Sequence, residues 1–193
     1  MLLRYKADSH LSSIANLHYR MISYSTIAQM GEKCLYACYK SLSELDSTFG
    51  FVWIDSDSKL VGFILGTTDS KTARKAMFNS ITFSDKLKIC LYSFKSVGNL
   101  LNILDTIFFI NPFISSKKVN AEWLSWITDT TDKKGSLAAL ETYKAMKKYF
   151  AETGIKQFWC QADKRTKTHK FLTDFKNIQQ NKLFQNYIFI INS

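Results

Sequence analysis

The chain has 193 residues, of which 46% are apolar and 22% charged, with seven glycines and one proline. That length suits a single domain, residues 1–193, with a sizeable core, and the shortage of Gly and Pro speaks against a long linker or disordered tail. Lys and Arg outnumber Asp and Glu by 26 to 16, a net charge of +10. Such a charge favours an anionic partner: a nucleotide cofactor, an acidic carrier protein, nucleic acid or membrane headgroups. No dense Lys/Arg block is present, which argues against a nucleic-acid-binding arm.

The N-terminus, MLLRYKADSH, has no apolar core long enough for a signal peptide. Residues 2–6 suggest a short strand. Asp8 or Ser9 is placed to cap a helix from about His10, with Leu11, Ile14, Leu17, Met21 and Ile22 at helical spacing. A second helix is expected over 30–44, with Cys34, Leu35, Cys38 and Leu42 inward. Cys34 and Cys38 are four apart, which is not a zinc spacing, and His10, His18 and His169 form no paired-ligand motif. We therefore expect no metal, and free, mostly buried thiols in a reducing, cytoplasmic setting.

Residues 49–66 read as a hairpin: two nearly continuous apolar runs flank DSDSK, as in strands covered on both faces. Residues 70–118 change character, with apolar residues at helical intervals and many lysines. Two or three helices are expected there, with turns near Ser84 and at Ser96 to Asn99, and with Pro112 closing the segment. The most apolar run, 97–114, is broken by Asn99, Asn102, Asp105 and Asn111, so we read a buried or interfacial helix rather than a transmembrane segment.

Residues 121–161 carry the chemistry. A buried strand, 121–128, leads into the charged turn DTTDKKG. Ser136 is placed to cap a helix whose inner face holds Ala139, Tyr143, Met146 and Phe150, with Glu141, Lys148 and Glu152 opposite. Gly154 suits the C′ position, and 155–161 return as a parallel strand. A strand, a loop over a helix N-terminus and a returning strand aim unpaired N–H groups at an anion. A short helix holding Phe171, Leu172 and Phe175 should follow, then polar NIQQN and a β-prone terminal strand. That strand could pair between subunits of a homodimer if its edge is exposed.

In this order of elements the chain resembles the GCN5-related N-acetyltransferase superfamily, most specifically in the hairpin at 49–66 and the unit at 121–161. The resemblance implies an α/β fold. Its mixed sheet would splay between strands 121–128 and 155–161 to admit acyl-coenzyme A, with 70–118 as a helical insertion. The family's pyrophosphate loop, Arg/Gln-x-x-Gly-x-Gly/Ala with a Leu three places later, is matched by Asp132-Lys133-Lys134-Gly135-Ser136-Leu137 and Leu140. Gly135 and Leu140 fit the pattern. Asp132 and Leu137 depart from it, and Lys133 and Lys134 could supply the positive charge.

The resemblance further implies direct attack of a neutral amine on the thioester. Amides near Ile127 and Thr128 would hold the pantetheine arm, and Glu122 is the candidate base. The family's usual Tyr acid has no counterpart at 171–173, where His169 or Thr173 could substitute; Tyr187 is a further candidate. Trp123 and Trp126 could wall a substrate pocket whose mouth the insertion covers. The first functional reading is an acetyl-coenzyme A-dependent N-acyltransferase acting on a small-molecule amine or amino sugar. The alternatives are an acyltransferase fed by acyl carrier protein, and a binding module that keeps the fold without catalysis.

Overall fold

The structure, a computed structural model, describes residues 1–116, 119–166, 172 and 178–192. Its strands are β1 (Leu2–Arg4), β2 (Thr48–Ile54), β3 (Leu60–Thr67), β4 (Glu122–Thr128), β5 (Gln157–Asp163), β6 (Ile178–Lys182) and β7 (Asn186–Asn192). The helices are α1 (Ala7–Met21), α2 (Glu32–Ser43), α3 (Ser70–Ser80), α4 (Phe83–Ser93), α5 (Val97–Asp105), α6 (Asn111–Ser115) and α7 (Gly135–Glu152). A wider π turn, Thr106–Ile110, joins α5 to α6.

One mixed sheet runs in the order β1-β2-β3-β4-β5-β7-β6. Every neighbouring pair is antiparallel except β4 and β5, which are parallel. Two layers cover the sheet, so β3 is buried along its whole length. Phe63 and Leu65 point to one face, against Ile14, Leu17, Leu35 and Leu42 of α1 and α2. Ile64 between them points to the other face, against Tyr143, Met146 and Phe150 of α7. This is the two-periodicity of a strand meeting the 3.6-periodicity of its covering helices. All four tryptophans lie on strands: Trp53 on β2, Trp123 and Trp126 on β4, and Trp159 on β5.

The hairpin at 49–66, both β-turn-flanking strands and the β4–α7–β5 unit stand where the sequence puts them. Gly154 adopts φ +75°. Its N–H donates to the Ala151 carbonyl and the Ile155 N–H to that of Phe150, the two bonds of a Schellman ending.

Several differences concern helix starts, and the described insertion holds four helices rather than two or three, because the apolar run after Ser96 is interrupted by the π turn before α6. α1 opens at Ala7, not near His10, because the ring of His10 turns back and its Nδ1 accepts the Lys6 N–H at 3.0 Å. Asp8 is left in the first turn, where its charge suits the helix dipole. Ser136 caps nothing: α7 already runs from Gly135, after Asp132 Oδ1 has taken the Lys134 N–H at 2.9 Å. In the insertion the turn falls at Thr82 rather than Ser84, because Thr82 Oγ1 accepts the Asp85 N–H. Of the turn expected at Ser96 to Asn99 only Ser96 lies outside a helix: α5 already begins at Val97, and Ser96 caps it by accepting the Asn99 N–H. Pro112 does not close the segment. It sits in the first turn of α6, where its missing N–H costs nothing, and the helix continues to Ser115. The terminal strand β7 is interior, flanked by β5 and β6, so the condition set for pairing through it is not met. The helix expected around Phe171 and Phe175 falls outside the described residues apart from Leu172, which is buried and helical.

Candidate active site

β4 and β5 pair at Glu122–Trp159 and Trp123–Cys160 and no further. Beyond those two rungs the strands diverge. A bulge in β4 helps to open them: the register to β3 shifts between Leu65–Ser125 and Gly66–Trp123, leaving Leu124 as the extra residue. The bulge also breaks the alternation of side chains. Leu124 packs into the core on the α1–α2 side, and its neighbour Ser125 bonds to Tyr39 of α2 on that same side. Trp123 and Trp126 turn to the α7 side, where the Trp126 indole donates to Thr142 Oγ1 at 3.1 Å.

The bulge has a second consequence, for the backbone. The Asp129 N–H donates to the Val61 carbonyl. By antiparallel alternation, Ile127 and Ser125 also face β3, while Trp126 and Thr128 turn their amides toward the diverging β5 side. Of the two amides singled out in the sequence, that of Thr128 points into the split and that of Ile127 into the sheet.

A cavity of about 230 Å³ occupies the split, lined on β4 from Glu122 to Ile127 and on β5 from Cys160 to Asp163. A second cavity, of about 390 Å³, adjoins it on the α1–α2 side. The two share His18, Ser25, Asn102, Leu124, Ser125 and Gln161 along a common wall. The second is more apolar, with Leu35, Leu42, Met77 and Ile103 around it. Trp123 and Trp126 both line the first. The insertion reaches both, through Arg74 and Asn102 in one and Met77, Ile103 and Thr106 in the other.

Glu122 is buried on the wall of the first cavity. Arg74 of α3 grips it, Nε lying 3.0 and 3.2 Å from its two oxygens and NH2 2.5 Å from Oε1. Burial raises the Glu122 carboxyl above the ordinary carboxylate range, against the opposing pull of Arg74. The same guanidinium lies 4.9 Å over the Trp159 ring and reaches Gln161 Oε1 at 3.4 Å. Gln161 in turn donates to Asn186 Oδ1 at 2.9 Å. Asn186 and the amides of Phe184 and Gln185 close on the buried carboxylate of Asp105 at 2.7–2.8 Å. The polar floor of the cavity thus runs from α3 through β5 and β7 to α5.

Opposite lies a chain from α1. His18 Nδ1 is 2.7 Å from the Tyr39 hydroxyl, which is 3.0 Å from Ser125 Oγ; His18 Nε2 is 3.2 Å from Ser25 Oγ. Burial pushes the imidazole down to about 4, so it is neutral near pH 7. Burial pushes the Tyr39 phenol up, so it keeps its proton. None of His18, Tyr39, Ser125 or Arg74 stands out by motif. His18 does carry a signal: it lies four residues after Ile14 and seven after Leu11, on the inner side of an amphipathic helix.

The phosphate-loop candidates are arranged differently. Gly135 is buried, and a Cβ there would lie 2.3 Å from the Asp129 carbonyl oxygen, so glycine is required for the loop to close on itself. The loop amides of Thr131, Asp132, Lys134 and Gly135 bond to Asp129 or Asp132. The N–H groups of Ser136 and Leu137 lie in the first helical turn, where backbone donors point along the axis past the helix end. Lys133 and Lys134 are exposed beside them. Asp129 and Asp132 add negative charge, countered by Lys59 at 3.4 and 3.1 Å and by Arg20 at 3.6 Å from Asp129. His169 and Thr173 lie outside the described residues. Tyr187 is on β7, half-buried, with Lys164 Nζ 5.5 Å from its ring centre. Cys34, Cys38 and Cys160 are buried thiols and Cys90 an exposed one. Among the described residues no cluster of His, Cys, Asp and Glu could hold a metal ion.

No protein-family model and no curated protein matches the sequence. Solved structures do match the fold. FeeM, an N-acyl amino acid synthase from uncultured soil microbes, aligns with a TM-score of 0.56 at 13% identity, over 100% of this chain and 90% of its own. The C-terminal condensation domain of Ebony, solved in complex with beta-alanyl-dopamine, gives 0.63 at 10% identity, over 100% and 98%. An N-acetyltransferase from Staphylococcus aureus Mu50 gives 0.60 at 12% identity, over 99% and 100%. The chain has the fold of the GCN5-related N-acetyltransferase superfamily, with a helical insertion between β3 and β4.

Proposed function

We propose that this protein is an N-acyltransferase that moves an acyl group from a pantetheine thioester, held in the split between β4 and β5, to the primary amine of a small molecule. The observation that carries this is the parting of two parallel strands after two rungs, with a cavity in the opening and a buried carboxylate on its wall. The reading is supported by two proteins of similar fold, FeeM, an N-acyl amino acid synthase, and the condensation domain of Ebony, solved in complex with beta-alanyl-dopamine.

The thioester supplies an activated carbonyl. The Thr128 and Trp126 amides donate to the pantetheine arm and hold that carbonyl where charge develops on its oxygen. Glu122, with its raised affinity for a proton, accepts one from the incoming ammonium, and the free amine then attacks. The new C–N bond replaces the C–S bond, and the thiolate leaves to be protonated. His169 is the candidate acid for that last step. The apolar cavity beside Leu35, Met77 and Ile103 receives the acyl chain or the apolar part of the acceptor, which gives the insertion a say in substrate choice.

Coenzyme A is the first reading of the donor, with its diphosphate at the Ser136 and Leu137 amides and Lys133 and Lys134 beside it. Asp132 in that loop favours a second reading, in which an acyl carrier protein presents the same arm and the +10 charge attracts its acidic surface. The thiols suit a cytoplasmic location.

Acetyl-coenzyme A, longer acyl-coenzyme A and acylated carrier protein should be offered with a panel of amines, and thiol release and amide product measured. Transfer from at least one donor is expected, falling 10²-fold or more in Glu122→Gln when both proteins are assayed well below the melting temperature of the variant, which loses the charge facing Arg74. Absence of transfer from every donor, with no donor raising the melting temperature, would make the fold a binding module instead.

A further inference from the structure

Most of the large exposed apolar side chains fall between Phe78 and Phe109. The sharpest concentration is on α4. Phe83, Leu87 and Leu91 recur every four residues and are 83%, 53% and 61% exposed, and Phe94, just past the helix, is 73% exposed. At about 100° per residue these four cover one stripe roughly 80° wide. Ile89 lies on the opposite side of the helix and packs on Cys34, Cys38 and Ile81. α4 is therefore fastened to the body by one face while its other apolar face looks outward. Exposure then continues along the same insertion at Val97, Leu100, Ile107 and Phe108.

The charges around the stripe are ordered. Lys86 projects about 60° to one side of it and Lys88 about 60° to the other. Lys95 follows Phe94. Across the described insertion, residues 70–116, Lys71, Lys75, Lys88 and Lys95 are exposed and Lys86 is half-buried with its ammonium 4.2 Å from the Phe78 ring centre; the half-buried Asp85 pairs with Lys88 at 2.9 Å. Arg74 and Asp105 are held inward. An apolar stripe with lysines along both margins matches a surface that is apolar within and anionic at its boundary. Lysine stems lie along apolar matter while their ammonium groups reach the headgroups. A second copy of this chain fits poorly, since it also carries +10.

We infer that α4 docks this protein on an anionic lipid bilayer, lying in the plane of the interface with Phe83, Leu87, Leu91 and Phe94 in the acyl boundary. The inference does not depend on the proposed chemistry. It has a consequence for that chemistry, because α3 and α5, on either side of α4 in the chain, line the two cavities.

The test is co-sedimentation of the full chain with vesicles of phosphatidylcholine alone and of phosphatidylcholine mixed with phosphatidylglycerol, at low and high salt. Binding at least tenfold tighter to the anionic vesicles, and weaker in high salt, is expected. The combined variant Phe83→Ser, Leu87→Ser, Leu91→Ser, Phe94→Ser should lose that binding at least tenfold, and Lys86→Glu, Lys88→Glu, Lys95→Glu should lose its preference for anionic lipid. A polarity-sensitive dye on Cys90, the exposed cysteine of α4, reads the same contact in the unmutated chain and should shift to the blue on anionic vesicles. Equal binding to both vesicles, an unshifted dye, or a stripe variant that still binds would overturn the inference. So would a stripe whose loss abolishes self-association or carrier-protein binding while vesicles are ignored from the start.

Discussion

His18 illustrates how a single side chain can be legible in part. Its place on the inner side of α1 is readable from spacing, but its partners Tyr39 and Ser125 come from α2 and β4, and no local pattern links the three. The consequence is measurable. With the folded imidazole at about 4 and the free one near 6.5, the unfolded chain takes up the proton first. Stability contributed by neutral His18 is therefore complete above pH 6.5 and declines as the pH falls toward 4, by about 3 kcal/mol in all. Urea unfolding of the protein at pH values between those limits should show this slope in the native chain and a shallower one in His18→Gln; equal slopes would mean that the ring is not protected from protons. Glu122 is the converse case. Its residue type and its position early in β4 mark it in the sequence, whereas Arg74, which holds it, is 48 residues away.

At the scale of elements, the strands and the β4–α7–β5 unit are legible because long apolar runs and a 3.6-residue period leave little choice. Helix starts are not. Around Asp8, Ser84 and Ser136 several polar residues compete to cap, and the winner is set by contacts outside the local pattern, as when His10 takes the Lys6 N–H. The bulge at Leu124 is equally silent, though it decides which β4 amides face the split. The insertion is fixed to the β6–β7 turn by Asp105, whose carboxylate serves three consecutive amides and the Asn186 side chain. Asp105→Ala should strand those buried donors at a local cost of about 3 kcal/mol. Hydrogen exchange at the amides of 184–186 should then quicken by two orders of magnitude or so, with β2 and β3 unaffected. Unchanged exchange there would show that the insertion is held by its apolar contacts with Trp159 and Ile188 instead.

For the molecule as a whole, one departure from regular pairing organises the rest. A sheet zipped along every strand would bury Glu122, Trp126 and Gln161 to no chemical purpose. Parted after two rungs, it offers a slot with backbone donors on one edge, a paired carboxylate at its base and an apolar chamber alongside. The order of elements makes the split readable by resemblance. The aspartates of the loop before α7 make the donor harder to read, because they occupy amides that a diphosphate would otherwise use. The most direct test of the slot is an amide NMR titration of the chain with acetyl-coenzyme A and, separately, with pantetheine. The account predicts saturable shifts at Trp126 and Thr128 with both ligands, joined by Ser136 and Leu137 with coenzyme A, while Ile127 moves little. Shifts confined to the surface lysines, or none along β4 at saturating ligand, would contradict it.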